Sequence, residues 1–303
     1  MGRGIGFILG KGGVGKTTTT YNVASGFSIM ERTNWTYKLG DPIPPPPGED
    51  EEVTDGVIDM DPTRHLTKAS GIILYEGDEE LEEGEEKREK DLSTHEVLLN
   101  PQLGVDHVIR RSPLGYDVIP ASRSMDNVEM DLNKPDIVGR EYLLNRAMRQ
   151  AVGWKGYRVT KQAIDRKKRW FADTPRNLGI LTVGVMIFAD LLFVPLQPEY
   201  FADDTLDDLD KRIEQVRVIK PTVKIDGFII TMFDGRTDLH KTVVRELSKR
   251  YPDTIVFDTR IRRNIRLAEA PGFHKSIFEY DPSSLGAHDY YTLIHEMKEK
   301  FAL

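Results

Sequence analysis

The chain has 303 residues, 39% apolar and 30% charged, the balance expected of a soluble globular protein with a sizeable core. It contains no cysteine, which excludes disulfides, thiolate zinc sites and cysteine-ligated iron–sulfur clusters. The net charge of −7 gives no support for a nucleic-acid surface; residues 76–91, with ten acids and three bases, account for all of it and leave a neutral body.

Gly4 to Leu9 reads as a short buried strand, and Thr17–Met30, with apolar residues at Val23, Ala24, Phe27, Ile29 and Met30, as the helix after it. The chain enters this strand almost at once, so no cleaved leader is expected and a cytoplasmic location is. Residues 33–55 hold Pro42, Pro44–Pro47 and a run of acids. Proline neither donates to a ladder nor sits inside a helix, so this segment reads as a surface insertion. Gly56–Met60 resumes as a strand ending at Asp61-Pro62, and 76–91 reads as a second, acidic insertion. Tyr116–Pro120 is expected to be a strand and Gly139–Val152 an amphipathic helix, followed by the strongly basic stretch Lys155–Arg169. The longest apolar stretch, Leu178–Leu196, is interrupted by Asp190 and Pro195. It is expected to be a helix ending near Ala189 and a buried strand, Leu191–Val194, rather than a membrane span. Helix Thr205–Ile219, strand Ile225–Met232, helix Leu239–Tyr251, strand Thr254–Phe257 and helix Ala287–Phe301 complete the pattern. Such alternation predicts one three-layer α/β domain over 1–303, a mostly parallel twisted sheet with helices on both faces.

Between the first strand and helix stands Gly10-Lys11-Gly12-Gly13-Val14-Gly15-Lys16-Thr17, the pattern and context of a P-loop NTPase. Phosphate oxygens need several donors within one small radius. Glycines let successive backbone N–H groups turn inward, and the helix adds its positive N-terminal end. On this reading Gly12, Gly13, Val14, Gly15 and Thr18 cradle ATP, Lys16 reaches its β- and γ-phosphates, and the Thr17 hydroxyl ligates Mg2+. Lys11 is an addition that an ordinary P-loop does not need; the plainer alternative is an exposed surface lysine.

The string Lys11-Gly12-Gly13-Val14-Gly15-Lys16-Thr17-Thr18-Thr19 resembles the deviant Walker A motif of the ParA/MinD superfamily. Ile58-Asp59-Met60-Asp61-Pro62 and Asp173-Thr174-Pro175 look like its switch I and switch II. Phe193-Val194-Pro195-Leu196-Gln197-Pro198-Glu199-Tyr200-Phe201-Ala202 and Arg266-Leu267-Ala268-Glu269-Ala270-Pro271 are similar to the ParA/Soj partitioning branch. The resemblance implies a Lys11 that reaches across an ATP-bound homodimer, supplying charge in trans to the phosphoryl oxygens. It implies an Asp61 that orients the attacking water, an Asp59 that holds a magnesium-bound water and an Asp173 that serves as Walker B acid. It places adenine near Met232 and Asn264. All three aspartates also suit turns or helix caps. Thr63, Arg176 and Arg262 depart from the usual Gln, Pro and Pro, and the polar stretch Gln162–Arg169 leads one to expect a shortened or replaced central strand.

Three functions follow. The first is a ParA-type ATPase switch in plasmid or chromosome segregation: a nucleoid-associated dimer binding DNA non-specifically, released by a ParB-like stimulatory protein, with no stable membrane insertion. Lys211–Arg217 with Lys220, and Arg260–Arg266, are its candidate phosphate contacts. The second is a MinD-like membrane-cycling ATPase, which the mixed charge of the last helix disfavours. The third is a nucleotide-binding module with impaired hydrolysis.

Overall fold

The structure is a computed structural model and describes residues 2–33, 53–77, 89–134, 137, 139–149, 169–199 and 202–303. In chain order its strands are β1 (Arg3–Phe7), β2 (Asp55–Asp59), β3 (Arg110–Arg111), β4 (Asp117–Ile119), β5 (Arg169–Asp173), β6 (Leu191–Leu196), β7 (Gly227–Phe233) and β8 (Ile255–Arg262). The α-helices among the described residues are α1 (Lys16–Thr33), α2 (His65–Ala69), α3 (Thr94–Leu99), α4 (Val128–Leu132), α5 (Leu143–Arg149), α6 (Ile180–Phe188), α7 (Ala202–Arg217), α8 (Asp238–Arg250), α9 (Ile265–Glu269), α10 (Ile277–Tyr280) and α11 (Leu285–Phe301). One sheet takes the order β3-β4-β2-β5-β1-β6-β7-β8. Its pairs are parallel except for the antiparallel edge pair β3–β4.

Alternation along the strands divides the core between the two faces of the sheet. Ile58, Trp170, Ala172, Leu192, Val194, Phe228 and Ile230 pack on one side with α5, α6 and α7. Val57, Phe171, Phe193 and Ile229 pack on the other with α1 and α11. There the Phe171 ring lies 6.3 Å from Phe7 and 5.7 Å from Phe27. The apolar side of α11, with Tyr290, Leu293, Ile294 and Met297, is buried in this second cluster. On the first side, Gly56 has to be glycine: a Cβ there would meet the Trp170 ring at 2.4 Å.

The central strand is present as the five residues Arg169–Asp173; of the polar stretch 162–169 only Arg169 lies among the described residues. β5 pairs five residues with β1 and five with β2. Its first residue, Arg169, is 2% exposed and lies opposite Asp55 of β2. The guanidinium donates to both Asp55 oxygens at 2.7 and 3.1 Å and lies over the Phe27 ring, 4.3 Å from its centroid. An ion pair therefore stands at this end of the strand.

Leu178–Leu196 divides as expected, into α6 and β6, and no described helix is long and apolar enough to cross a membrane. Pro195 is tolerated inside β6 for a geometric reason. Phe193 O accepts from Ile8 N at 3.0 Å, so the polar groups two residues on also face the β1 side, where β1 has already ended. The helix expected over 139–152 is a 3₁₀ turn, Arg140–Tyr142, followed by α5 as far as Arg149; 150–152 lie outside the described residues. Most of both insertions (34–52 and 78–88) and the basic stretch up to 168 also lie outside them.

Candidate active site

β1 is flanked by β5 and β6, and the chain builds the sheet outward on both sides of it. In such sheets the strand ends open a crevice at the switch point, and the glycine loop occupies it here. Gly13 and Gly15 have φ of 76° and 85°, left-handed values that a side chain would oppose. Thr231 of β7 pins the loop by donating to Val14 O at 2.8 Å. From the other side the segment after β5 lies over it. A Cβ on Gly12 would meet Arg176 Cδ at 2.8 Å, and one on Gly10 would meet Leu178 Cγ at 3.1 Å. Thr174 fixes that segment by donating to Phe7 O at 2.7 Å.

Lys16 is 6% exposed, and its Nζ donates to Leu9 O at 3.1 Å and Lys11 O at 2.8 Å. Burial lowers its pKa, against the pull of Asp173 and Asp61. Thr17 Oγ1 donates to Asp173 Oδ2 at 2.6 Å. Asp173 ends β5 with no exposure, and burial, helped by the Asp59 charge, pushes its carboxyl up to about 8. Its other oxygen, Oδ1, is buried without a hydrogen-bond partner.

Asp59 is equally buried. Its Oδ1 accepts from Asp61 N at 3.1 Å, and its Oδ2 from Thr67 N at 2.8 Å and Thr67 Oγ1 at 2.7 Å. Burial raises it to about 6 despite these donors. Asp61, 7% exposed, accepts from Thr63 N at 2.9 Å and so closes a turn while lying within electrostatic reach of Lys16 and Asp173. The structure therefore brings Lys16, Thr17, Asp59, Asp61 and Asp173 to one end of three adjacent strands.

Among the described residues no three His, Asp or Glu side chains form a ready-made metal cage. One hydroxyl, one carboxylate with an orphaned buried oxygen and a phosphate cradle are the donor set that fits Mg2+. That ion keeps several waters and takes few protein ligands.

Other expected residues lie differently. Lys11 forms an ion pair with Glu199 at 2.7 Å, both side chains partly exposed, on the flank of the loop. Thr18 holds its neighbour through its carbonyl, which accepts from Asn22 Nδ2 at 2.9 Å. Met232 has a φ of 51° at an irregularity in β7. Asn264 caps α9, its Oδ1 accepting from Arg266 N at 2.9 Å. Several of the basic candidates are engaged within the chain. Lys220 donates to Met186 O and Ala189 O, Arg262 to Asp289, and Arg266 to Glu269. Sequence reasoning missed Thr67, Glu199 and Arg64. Thr67 also accepts from Ala121 N at 2.9 Å, tying the Asp59 loop to the end of β4. Arg64 has a φ of 60° and two buried guanidinium nitrogens, Nε and Nη1, without partners. A bulky residue after Asp-Pro-Thr was the available signal for Arg64, and Glu199 stood in the Phe193–Ala202 string without a role of its own; Thr67 gave no signal.

Residues 56–225, more than half of the chain, match the AAA domain family. Over 288 residues the chain is 32% identical to the chromosome partitioning protein ParA of Caulobacter vibrioides, covering 95% of this chain and 90% of that one. It is 29% identical to the sporulation initiation inhibitor protein Soj of Bacillus subtilis, covering 98% of each. Cobyrinic acid a,c-diamide synthase of Mycobacterium smegmatis, with bound ADP and magnesium, has a similar fold. Its TM-score is 0.70 at 24% identity, covering 100% of this chain and 97% of that one.

Proposed function

The chain belongs to the ParA/MinD superfamily of P-loop ATPases, close to its ParA/Soj partitioning branch, and from that premise we propose an ATP-driven switch for plasmid or chromosome segregation. ATP with Mg2+ occupies the glycine cradle, two chains associate in that state, and the dimer holds DNA through phosphate contacts until hydrolysis releases it. A ParB-like partner sets the hydrolysis rate. One observation carries this reading: a buried lysine, a hydroxyl and three carboxylates converge beneath a loop whose glycines leave it open to phosphate.

The residues divide the work by position. Lys16 exchanges its two carbonyl partners for phosphate oxygens, to which a cation is better matched. Thr17 and Asp173 would hold Mg2+, which would neutralise charge developing on the phosphoryl group. Asp61 orients the attacking water, and Asp59 fixes the backbone of Asp61 and of Thr67. Met232 and Asn264 border the base. Lys11 leaves Glu199 to serve the neighbouring subunit, which ties turnover to association. The pairing of β5 with both β1 and β2 supports turnover over a binding-only module, and the buried apolar face of α11 speaks against that helix lying on a membrane.

ATPase rate against protein concentration, with and without DNA, tests the proposal. The rate rises more than linearly with protein, and Lys11→Ala removes that rise while leaving nucleotide binding in place. A strictly linear rate, unchanged by Lys11→Ala, sinks it.

A further inference from the structure

Arg176 lies where no member of the expected site was assigned. It follows Asp173-Thr174-Pro175, a short segment held at Thr174 by the bond to Phe7 O and stiffened by proline. Its side chain runs along the phosphate loop. A Cβ on Gly12 would meet Arg176 Cδ at 2.8 Å, Nε at 3.3 Å and Cγ at 3.5 Å. Gly12 thus leaves room for this arginine as well as for phosphate.

The charges around the loop give that placement a direction. Lys16 is engaged with two carbonyl oxygens and Lys11 with Glu199. Arg176 is exposed and, among the described residues, has neither a hydrogen bond nor an ion pair. It lies close enough to Lys16 to oppose that lysine's charge. Arg176 and Lys16 repel each other across the glycine loop, and an anion bound between them relieves both. A guanidinium offers a planar fork of donors to phosphate oxygens, which a lysine at the same place does not.

We propose that Arg176 contacts the terminal phosphate of a bound nucleoside triphosphate from within the same chain, so that the loop favours triphosphate over diphosphate. The inference rests on the nucleotide reading above and adds to it a cation that needs no second subunit. It gives the isolated chain its own means of telling ATP from ADP before any partner docks.

Calorimetric titration of the full chain with Mg2+ and either ADP or a non-hydrolysable ATP analogue tests this, using wild type, Arg176→Ala and Arg176→Lys. Arg176→Ala weakens the analogue about tenfold and ADP by less than about twofold, and Arg176→Lys recovers part of the loss. The same contrast in a Lys11→Ala background assigns the contact to the chain's own loop. An equal loss for both nucleotides, no loss for either, or disappearance of the contrast in that background overturns it. A wild type that binds neither nucleotide instead overturns the nucleotide reading on which it stands.

Discussion

Lys11 Nζ lies 2.7 Å from Glu199 Oε2, so the extra lysine of the loop is held by its own chain. The two side chains are 31% and 42% exposed, which makes the pair a weak contributor to stability, below about 1 kcal/mol. Its interest is competition, since a lysine committed to Glu199 has to be released before it can cross to another subunit. Glu199→Ala is therefore expected to leave the melting temperature nearly unchanged and to strengthen ATP-dependent self-association severalfold at low salt. Sedimentation velocity with a non-hydrolysable ATP analogue measures this, and weaker association would mean that Glu199 helps the dimer instead.

Asp173 offers a second test through its proton. Its carboxyl titrates near 8 in the fold against an ordinary value of 3.8, because burial and the Asp59 charge both oppose ionisation. The folded chain therefore holds a proton that the unfolded chain releases between those two values. The associated stability is full below about pH 4 and is lost as pH rises through about 8. Melting temperature without nucleotide is expected to fall between about pH 4 and pH 8, and Asp173→Asn is expected to flatten that slope. Mg2+ favours the ionised form, so binding of Mg2+ with nucleotide at pH 7 expels protons. Calorimetry in buffers of different ionisation enthalpy counts them, and a buffer-independent heat would contradict the assignment.

The regions legible in the sequence were those where one physical pattern dominated. β1 and β6 showed short apolar runs, α1 its spaced apolar residues and the glycine loop its own residues, so these elements were placed to within a few residues. The misread strands carry polar residues whose partners come from distant parts of the chain. β8 was expected to stop at Phe257 but runs to Arg262, since its bulged second half is held by α11. There Glu296 accepts from Asp258 N and Thr259 N, and Asp289 accepts from Arg262 N. β5 was doubted because Arg169 looks like a surface residue until Asp55, 114 positions earlier, is placed beside it. The carboxylates of the site were found, but the groups that aim them, such as Thr67, were not. A threonine in a short helix carries no local mark of what it will touch.

The Arg169–Asp55 pair makes a stability prediction with a built-in control. Both groups are almost fully buried, so removing one leaves the other as an unpaired charge in the sheet. Arg169→Leu is expected to cost about 3–5 kcal/mol in denaturant unfolding. Replacing both partners, as Arg169→Leu with Asp55→Leu, is expected to recover most of that loss. If the single and double variants unfold alike, Asp55 is not the partner that matters, and Glu31, 3.5 Å from the same guanidinium, becomes the better candidate.

Arg64 makes the opposite kind of prediction, a substitution that stabilises. It precedes α2 with φ of 60° and ψ of 24°, a left-handed conformation that disfavours any residue with a Cβ by roughly 1–2 kcal/mol. Its Nε and Nη1 are buried without partners, which adds a desolvation cost. Arg64→Gly removes both penalties while keeping the backbone bond from residue 64 N to Asp61 O at 2.9 Å, which shapes the turn carrying the Asp61 carboxylate. The net gain is expected to be about 1 kcal/mol, a rise of a few degrees in melting temperature for a chain of this length. Turnover measured alongside separates strain from use. If Arg64→Gly raises the melting temperature and leaves the ATPase rate intact, the strained arginine is a structural accident of the loop. If the melting temperature rises while the rate falls, the unpartnered guanidinium serves the reaction, and the strain is retained for it.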